Sequence, residues 1–372
     1  MKIGYFTNNF PPRIGGVATY SFELPYFMAQ NHPEIEVGVF VFGKEEGTET
    51  KGNLKITRLK KNSPLSMGKE VAKIIAKNKF DVVHTTTFFP TGFFVALFAK
   101  IFRVKSHLTV YGTEVVTNRG RLITKIVQYL TLILVSHIFP FSQSTNNLMF
   151  KRHKHLNKKK ATVACPGISQ LEINKKYSVR DKFNIKGDDF VVLFVGRLVE
   201  RKGAFDLINA VKKTGDEKVK LILVGGGERK KLEKHVSENN LNNQIYFAGS
   251  VPREEILNYY FSADVFSMPS FFDTNLEDIE GLGIVYLEAQ INGVPVIGTS
   301  SGGIPEAIDD NKSGFVVEPR DVLALSEKIN ILKNDKKLYE RMSQAAKDFV
   351  KKEFSWQKNN DKHLEIYKNG SK

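Results

Sequence analysis

"FVVLFVGR" occupies residues 190 to 197, an unbroken apolar run that stops at Gly-Arg. A strand with one wet face alternates apolar and polar residues; a parallel strand covered on both faces does not. The run therefore predicts a central parallel strand with Arg197 just beyond its carboxyl end. Downstream the theme repeats in "KVKLILVGGG" (218–227), "QIYFAGS" (244–250), "DVFSMPS" (264–270), "VPVIGTS" (294–300) and "GFVVEP" (314–319). Helical patterns fall between them, at about 205–213, 228–238 and 253–262, from about Gly283, and after Pro305. Upstream, "KIGYF", "EVGVFVF", "LKITRL", "FDVVHTT", "SHLTVYG" and "HIFPFS" alternate with helical stretches in the same way. Such alternation predicts an α/β fold of parallel sheets with helices on both faces.

The basic run "KRHKHLNKKK" (151–160) and the loop after it interrupt the series. The chain thus reads as two Rossmann-like doubly wound domains, residues 1–170 and 171–355, facing across a cleft. Ligands of such sheets bind at the carboxyl ends of the strands, so that cleft is the expected site.

The totals fit this reading. With 372 residues, 41% apolar and 26% charged, the chain has room for two cores and the balance of an ordinary globular protein. Cys165 is the only cysteine, which excludes an intrachain disulfide and suits a reducing compartment. The start "MKIGYFTNNF" lacks a secretory pattern, and the most apolar segment, residues 126–141, is broken by Gln128, Ser136, His137 and Pro140. A soluble, cytoplasmic chain is expected. The net charge of +15 favours anionic partners.

The chemistry centres on "EGLGIVYLE", residues 280–288. It follows a strand, so Glu280 belongs at a carboxyl edge and a helix begins near Gly283. The free N–H groups of a helix start bind anions, and Gly281 and Gly283 admit close approach to the main chain. Glu288 falls about one turn into that helix among apolar residues, where a carboxylate needs hydrogen-bond donors. A ribose diol would supply two; a bare complement to the helix dipole fits the motif equally well. "VGRLVERKG" (195–203) sets Arg197 and Lys202 at the same sheet edge, a pairing suited to a diphosphate. "GGV" at 15–17 opens the first helix without forming a dinucleotide or P-loop fingerprint.

Together with "VGGGE" (224–228), "FAGSVP" (247–252), "MPS" (268–270), "NGVPVIGT" (292–299) and "GGIPEAI" (302–308), these pieces run nearly end to end. In order and spacing the chain resembles the retaining GT-B glycosyltransferases of the large family 4, which includes bacterial phosphatidylinositol mannosyltransferases. The resemblance implies that Glu280 faces the transferred sugar and Glu288 the nucleotide ribose. It implies that Arg197 and Lys202 hold the diphosphate, and that Gly15 and Gly16 belong to a loop closing over the donor. Main-chain amides at Gly281 and Gly283 to Val285, Ile284 included, would hold sugar and phosphate, and Ser250 and Val251 would face the base. The donor would be a nucleotide-diphosphate sugar, GDP-mannose or a UDP-hexose, with no metal and no cofactor. A final segment from about 356 would cross back to the first domain.

One position departs from the pattern: Tyr111 stands where the family often has histidine, and an unperturbed phenol near pKa 10 is a poor base. His84 and Glu114 are candidates for contact with the acceptor, or for structure. The Phe-rich stretch 85–105, with Lys100, Arg103 and Lys105 near its end, reads either as core or as an anionic-membrane contact. Arg119, Arg121 and Lys125 would extend its basic face. A lipid-linked or saccharide acceptor fits the charge. A non-catalytic nucleotide-sugar-binding protein is the alternative within the fold. A nucleic-acid-binding protein would show aromatics interleaved with basic residues or a reading helix, and neither is present.

Overall fold

In the computed structural model, strands β1 (Lys2–Thr7), β2 (Glu36–Gly43), β3 (Gly47–Lys51), β4 (Leu54–Lys60), β5 (Val82–Thr85), β6 (Lys105–Val110) and β7 (His137–Pro140) form one sheet. Between them lie α1 (Gly16–Asn31), α2 (Pro64–Asn78), α3 (Phe93–Ile101) and α4 (Leu122–Leu134), and α5 (Gln143–Arg152) follows. A second series holds the short α6 (Val179–Lys182), β8 (Phe190–Val195), α7 (Ala204–Lys213), β9 (Val219–Val224), α8 (Arg229–Glu238), β10 (Ile245–Gly249) and α9 (Ile256–Ser262). It continues through β11 (Val265–Ser267), α10 (Ile284–Ile291), β12 (Val296–Thr299), β13 (Gly314–Val317), α11 (Val322–Asn334), α12 (Lys336–Glu353) and α13 (Trp356–Asn369). All residues are described except 14, 61–62, 113, 115–121, 170–176, 273–277 and 370–372.

The chain divides into two units. Unit 1 comprises Met1–Gly167, Leu276–Gly281 and Ser355–Lys372; unit 2 comprises Ile168–Asn275 and Leu282–Phe354. Unit 1 has strand order β3-β4-β2-β1-β5-β6-β7, and unit 2 has β10-β9-β8-β11-β12-β13. In unit 2 every strand pair is parallel. The apolar run from Phe190 is β8, central in its sheet, with residues Phe190 to Phe194 buried whichever way they point.

Three sequence expectations need correction. β3 was not foreseen; it pairs antiparallel with β4 at the sheet edge, and its "GTETK" is too polar and exposed to signal a strand. The helix expected after Pro305 is a 3-10 turn at Ile304–Ala307, because Ile308 is already extended. The border at 171–355 is also too simple, since residues 276–281 belong to unit 1. Ile279 explains this: it is buried in the unit 1 core with Phe88, Leu108 and Val110.

Helix α13 is part of unit 1 and shields a row of histidines. His84, His107 and His137 are register partners on β5, β6 and β7, so one residue of each strand forms a ladder across the sheet. His363 and Tyr367 of α13 cover it: the Tyr367 hydroxyl lies 2.6 Å from His84 Nδ1, and the His363 ring stacks on Phe139 at 4.1 Å. His84 Nε2 meets Thr109 Oγ1 at 2.8 Å. At the start of α13, Trp356 stacks on Phe27 of α1 at 5.2 Å, and Asn359 donates to the Cys165 carbonyl at 2.7 Å.

Burial disfavours the imidazolium at each rung. It holds His84 and His107 well below the usual histidine range, and His137 and His363 at about 4. The unfolded chain therefore takes up protons first as pH falls, and stability is lost progressively between about 6.5 and about 4. For His363 alone, that displacement is worth roughly 3 kcal/mol. Acid titration followed by the emission of the single tryptophan, Trp356, should show α13 releasing in this window. His107→Leu should shift the midpoint to lower pH; an unchanged midpoint would show that the ladder is not what fails.

Candidate active site

Unit 2 gathers its chemistry at the carboxyl ends of β8, β9, β10 and β11. Arg197 follows β8 directly and is exposed. Beyond it the chain makes a 3-10 turn, Glu200–Lys202, and Lys202 is buried at its end. Gly203 closes that turn at φ 75°, and a Cβ there would lie 2.1 Å from the Pro269 carbonyl oxygen. Only glycine lets the β8 loop and the β11 loop touch. The same β11 loop reaches α10, because the Met268 carbonyl accepts from Tyr286 Oη at 2.6 Å. A single connected stretch of main chain thus links the turn carrying Lys202 to the first turn of α10.

Gly283 is the N-cap of α10, without a side-chain cap, and Ile284 and Val285 supply its first free N–H groups. Ser250, exposed, and Val251 follow β10. Gly226 approaches Ser250 across the edge: a Cβ on it would come within 3.2 Å of Ser250 Oγ.

Glu288 is 6% exposed on α10, and both its oxygens are held. Arg253 Nη1 donates to Oε1 at 2.9 Å, and Tyr260 Oη donates to Oε2 at 2.9 Å. Burial, then the adjacent Glu288 charge, pushes Tyr260 well above the ordinary phenol range, so it remains a donor. A carboxylate accepts about four hydrogen bonds, so each oxygen keeps capacity for a further donor such as a ribose hydroxyl. Sequence reading missed Arg253 and Tyr260. The available signal was the buried acid itself, which requires a cation, and Arg253 is the first one after the β10 loop.

Glu280 and Gly281 belong to unit 1, so the motif passes from one unit to the other between Gly281 and Leu282. Glu280 is half-buried, next to the core residue Ile279. Gly281 is required for packing: a Cβ there would lie 1.7 Å from the Tyr111 carbonyl oxygen. Gly15 caps α1 in open surroundings, and Gly16 is its first residue.

Arg119 and Arg121 lie outside the described residues. The remaining unit 1 candidates make their contacts within that unit. His84, a rung of the ladder, is 0% exposed and cannot reach an acceptor from there. The Tyr111 ring packs edge-on to Tyr20 and Phe141, and burial raises its phenol well above the ordinary range, which excludes it as a base at neutral pH. The Glu114 carboxylate accepts from the Tyr111 main-chain N–H, and burial raises its pKa; it closes the turn after β6. Among the described residues, no group of three His, Cys, Asp or Glu side chains is arranged to hold a metal ion.

Two α/β units of this construction correspond to the GT-B fold. The solved structures agree: Anabaena HepE in complex with UDP matches with TM-score 0.79 at 20% identity, covering 99% of this chain and 100% of that one. Sucrose-phosphate synthase from Thermosynechococcus elongatus matches with TM-score 0.77 at 20% identity, over 99% and 98% of the two chains.

Residues 176–349 match the family model described as glycosyl transferases group 1. The chain is also 29% identical, over 94% of its length and 93% of the relative's, to the GDP-mannose-dependent monoacylated alpha-(1-6)-phosphatidylinositol monomannoside mannosyltransferase of Corynebacterium glutamicum. A Mycolicibacterium smegmatis GDP-mannose-dependent alpha-(1-6)-phosphatidylinositol monomannoside mannosyltransferase is 36% identical over 48% of this chain and 47% of that one. Residues 176–349 are thus similar to the group 1 glycosyl transferases, and the chain over nearly its whole length is similar to a phosphatidylinositol mannoside mannosyltransferase.

The two donors on Glu288 differ in burial, which orders their contributions. Tyr260 is fully buried, so Tyr260→Phe should cost about 1.5–3 kcal/mol, the usual range for a hydrogen bond to a charged group. Arg253 is 40% exposed and water replaces it in part, so Arg253→Met should cost less. Urea denaturation followed by circular dichroism tests this order; the reverse would mean that Arg253, not Tyr260, fixes the acid.

Proposed function

We propose that the chain transfers a hexosyl group from a nucleotide-diphosphate sugar, GDP-mannose before a UDP-hexose, to a lipid-linked or saccharide acceptor with retention of anomeric configuration. The observation that carries this reading is the edge of the unit 2 sheet, where the Arg197 and Lys202 segment and the start of α10 are joined through Pro269 and Met268. As the bond to the anomeric carbon breaks, negative charge grows on the departing diphosphate. Arg197, Lys202 and the α10 main-chain dipoles neutralise it without solvent rearrangement. Glu288, oriented by Tyr260 and Arg253, takes the ribose diol. Ser250 and Val251 meet the base, and Glu280 acts at the transferred sugar.

Similarity to the Corynebacterium and Mycolicibacterium GDP-mannose-dependent phosphatidylinositol monomannoside mannosyltransferases supports GDP-mannose as donor and a phosphoinositide glycolipid as acceptor class. The reaction needs no metal or other cofactor. Among the described residues no helix is long and apolar enough to cross a membrane. The enzyme in this reading works in the cytoplasm, peripheral to the inner membrane face.

Slow hydrolysis of GDP-mannose and UDP-glucose by the purified chain, with the released anomer identified by NMR, tests the proposal. GDP-mannose should turn over to the retained anomer in the presence of EDTA. Arg197→Ala and Glu280→Ala should each lower the rate about a hundredfold or more. Turnover of UDP-glucose alone would overturn the donor assignment, inversion the stereochemistry, and inhibition by EDTA the metal-free mechanism.

A further inference from the structure

Arg320 holds a backbone conformation that glycine adopts more easily. Its φ is 68°, in the left-handed region, directly before Asp321, whose carboxylate caps α11 by accepting from the Ala324 N–H at 2.9 Å. The loop "EPRD" (318–321) carries it just beyond the carboxyl end of β13, the edge strand of the unit 2 sheet. The backbone alone disfavours an arginine there, so the reason for it lies in what its side chain touches.

That side chain reaches back along the sheet edge. Helix α11 packs beside α7, and the start of one meets the start of the other through Arg320. Its Nη2 donates to Glu200 Oε1 at 3.1 Å, and its Nη1 lies 4.0 Å from Asp206 Oδ1 in the first turn of α7. Burial raises the Asp206 carboxyl above its usual range, and the Arg320 charge works against that rise. The guanidinium also covers the ring of Phe271, in the β11 loop, at 3.8 Å from the ring centroid.

These contacts close around the turn that ends in Lys202. Glu200 is the first residue of that turn. The Phe271 N–H donates to the Arg201 carbonyl at 2.9 Å, and Gly203 abuts the Pro269 carbonyl. The β11 loop thus holds the turn at Arg201 and Gly203, while Arg320 grips both partners, Glu200 in the turn and Phe271 in the loop. An exposed ion pair contributes little by itself, and Arg320 is half exposed. A planar cation that forks between two carboxylates while lying on a ring contributes more, and lysine cannot reproduce that geometry.

We propose that Arg320 is a positioning residue for the reaction: it fixes the Glu200–Lys202 turn against the β11 loop and so sets Lys202 where charge grows on the departing diphosphate. The inference rests on the transferase reading for the task of Lys202; the clamp itself does not. A misplacement of about 1 Å is enough to lower a rate by on the order of a hundredfold, so a loosened turn registers in catalysis.

Arg320→Gly tests it, because it removes the side chain and supplies the residue best suited to this backbone, which keeps the fold. In GDP-mannose hydrolysis kcat should fall about tenfold with KM changed less than about twofold, and Arg320→Lys should fall nearly as far. In a Lys202→Ala background the same glycine substitution should cost less than about twofold, since the group it positions is gone. An unchanged kcat, equal losses in the two backgrounds, or a full rate for Arg320→Lys would each overturn the assignment. Hydrogen exchange read by mass spectrometry, without any donor, decides the clamp separately. Peptides covering 198–203 and 269–272 should exchange about tenfold faster in Arg320→Gly, with β9 unchanged; equal exchange in variant and wild type would overturn it. Faster exchange in the variant, with no nucleotide-sugar hydrolysis by the wild type, would sink the transferase reading and leave the clamp standing.

Discussion

A parallel strand buried on both faces has no side on which to carry polar chemistry. In unit 2 the residues of β8 are apolar throughout, and the first cation, Arg197, appears only after the strand has ended. Main-chain groups left over at the sheet edge must find partners in neighbouring loops. Here Phe271 N–H donates to the Arg201 carbonyl at 2.9 Å, and Gly203 packs against Pro269 too closely for a side chain. That constraint brings the loops after β8 and β11 to the start of α10, so the anion-binding groups follow from the packing of the sheet.

What was legible in the sequence follows the same logic. Strands with two buried faces announce themselves, and each apolar run of unit 2 became a strand. Arg197, Lys202 and Glu288 were legible because charge beside an apolar run is conspicuous. β3 was not, since an exposed edge strand leaves no hydrophobic trace. Nor were the partners of Glu288: Arg253 and Tyr260 lie 35 and 28 residues away, and no local pattern connects them. His84 looked chemical in "VVHTT" because a lone histidine near a strand end carries no mark of burial. Only register shows that it lines up with His107 and His137.

The two polar systems of unit 1 obey opposite rules. The histidine ladder is tolerated beneath α13 because imidazoles can remain neutral, with Tyr367 and Thr109 satisfying His84. The lysines around α4 instead stand in solvent, Lys160 apart. Both arrangements arise in the acid-poor stretch between Asp81 and Glu172. There, cations have few local counter-charges.

Unit 1 is assembled from three separated stretches of chain, and its last piece begins at Ser355, after every residue of unit 2. Translation therefore delivers the two units in an order opposite to their numbering. On the ribosome, unit 2 has all its residues while the first unit still lacks the helix that roofs its histidines. The nascent chain must carry an unfinished amino-terminal half until the residues beyond Phe354 have been made.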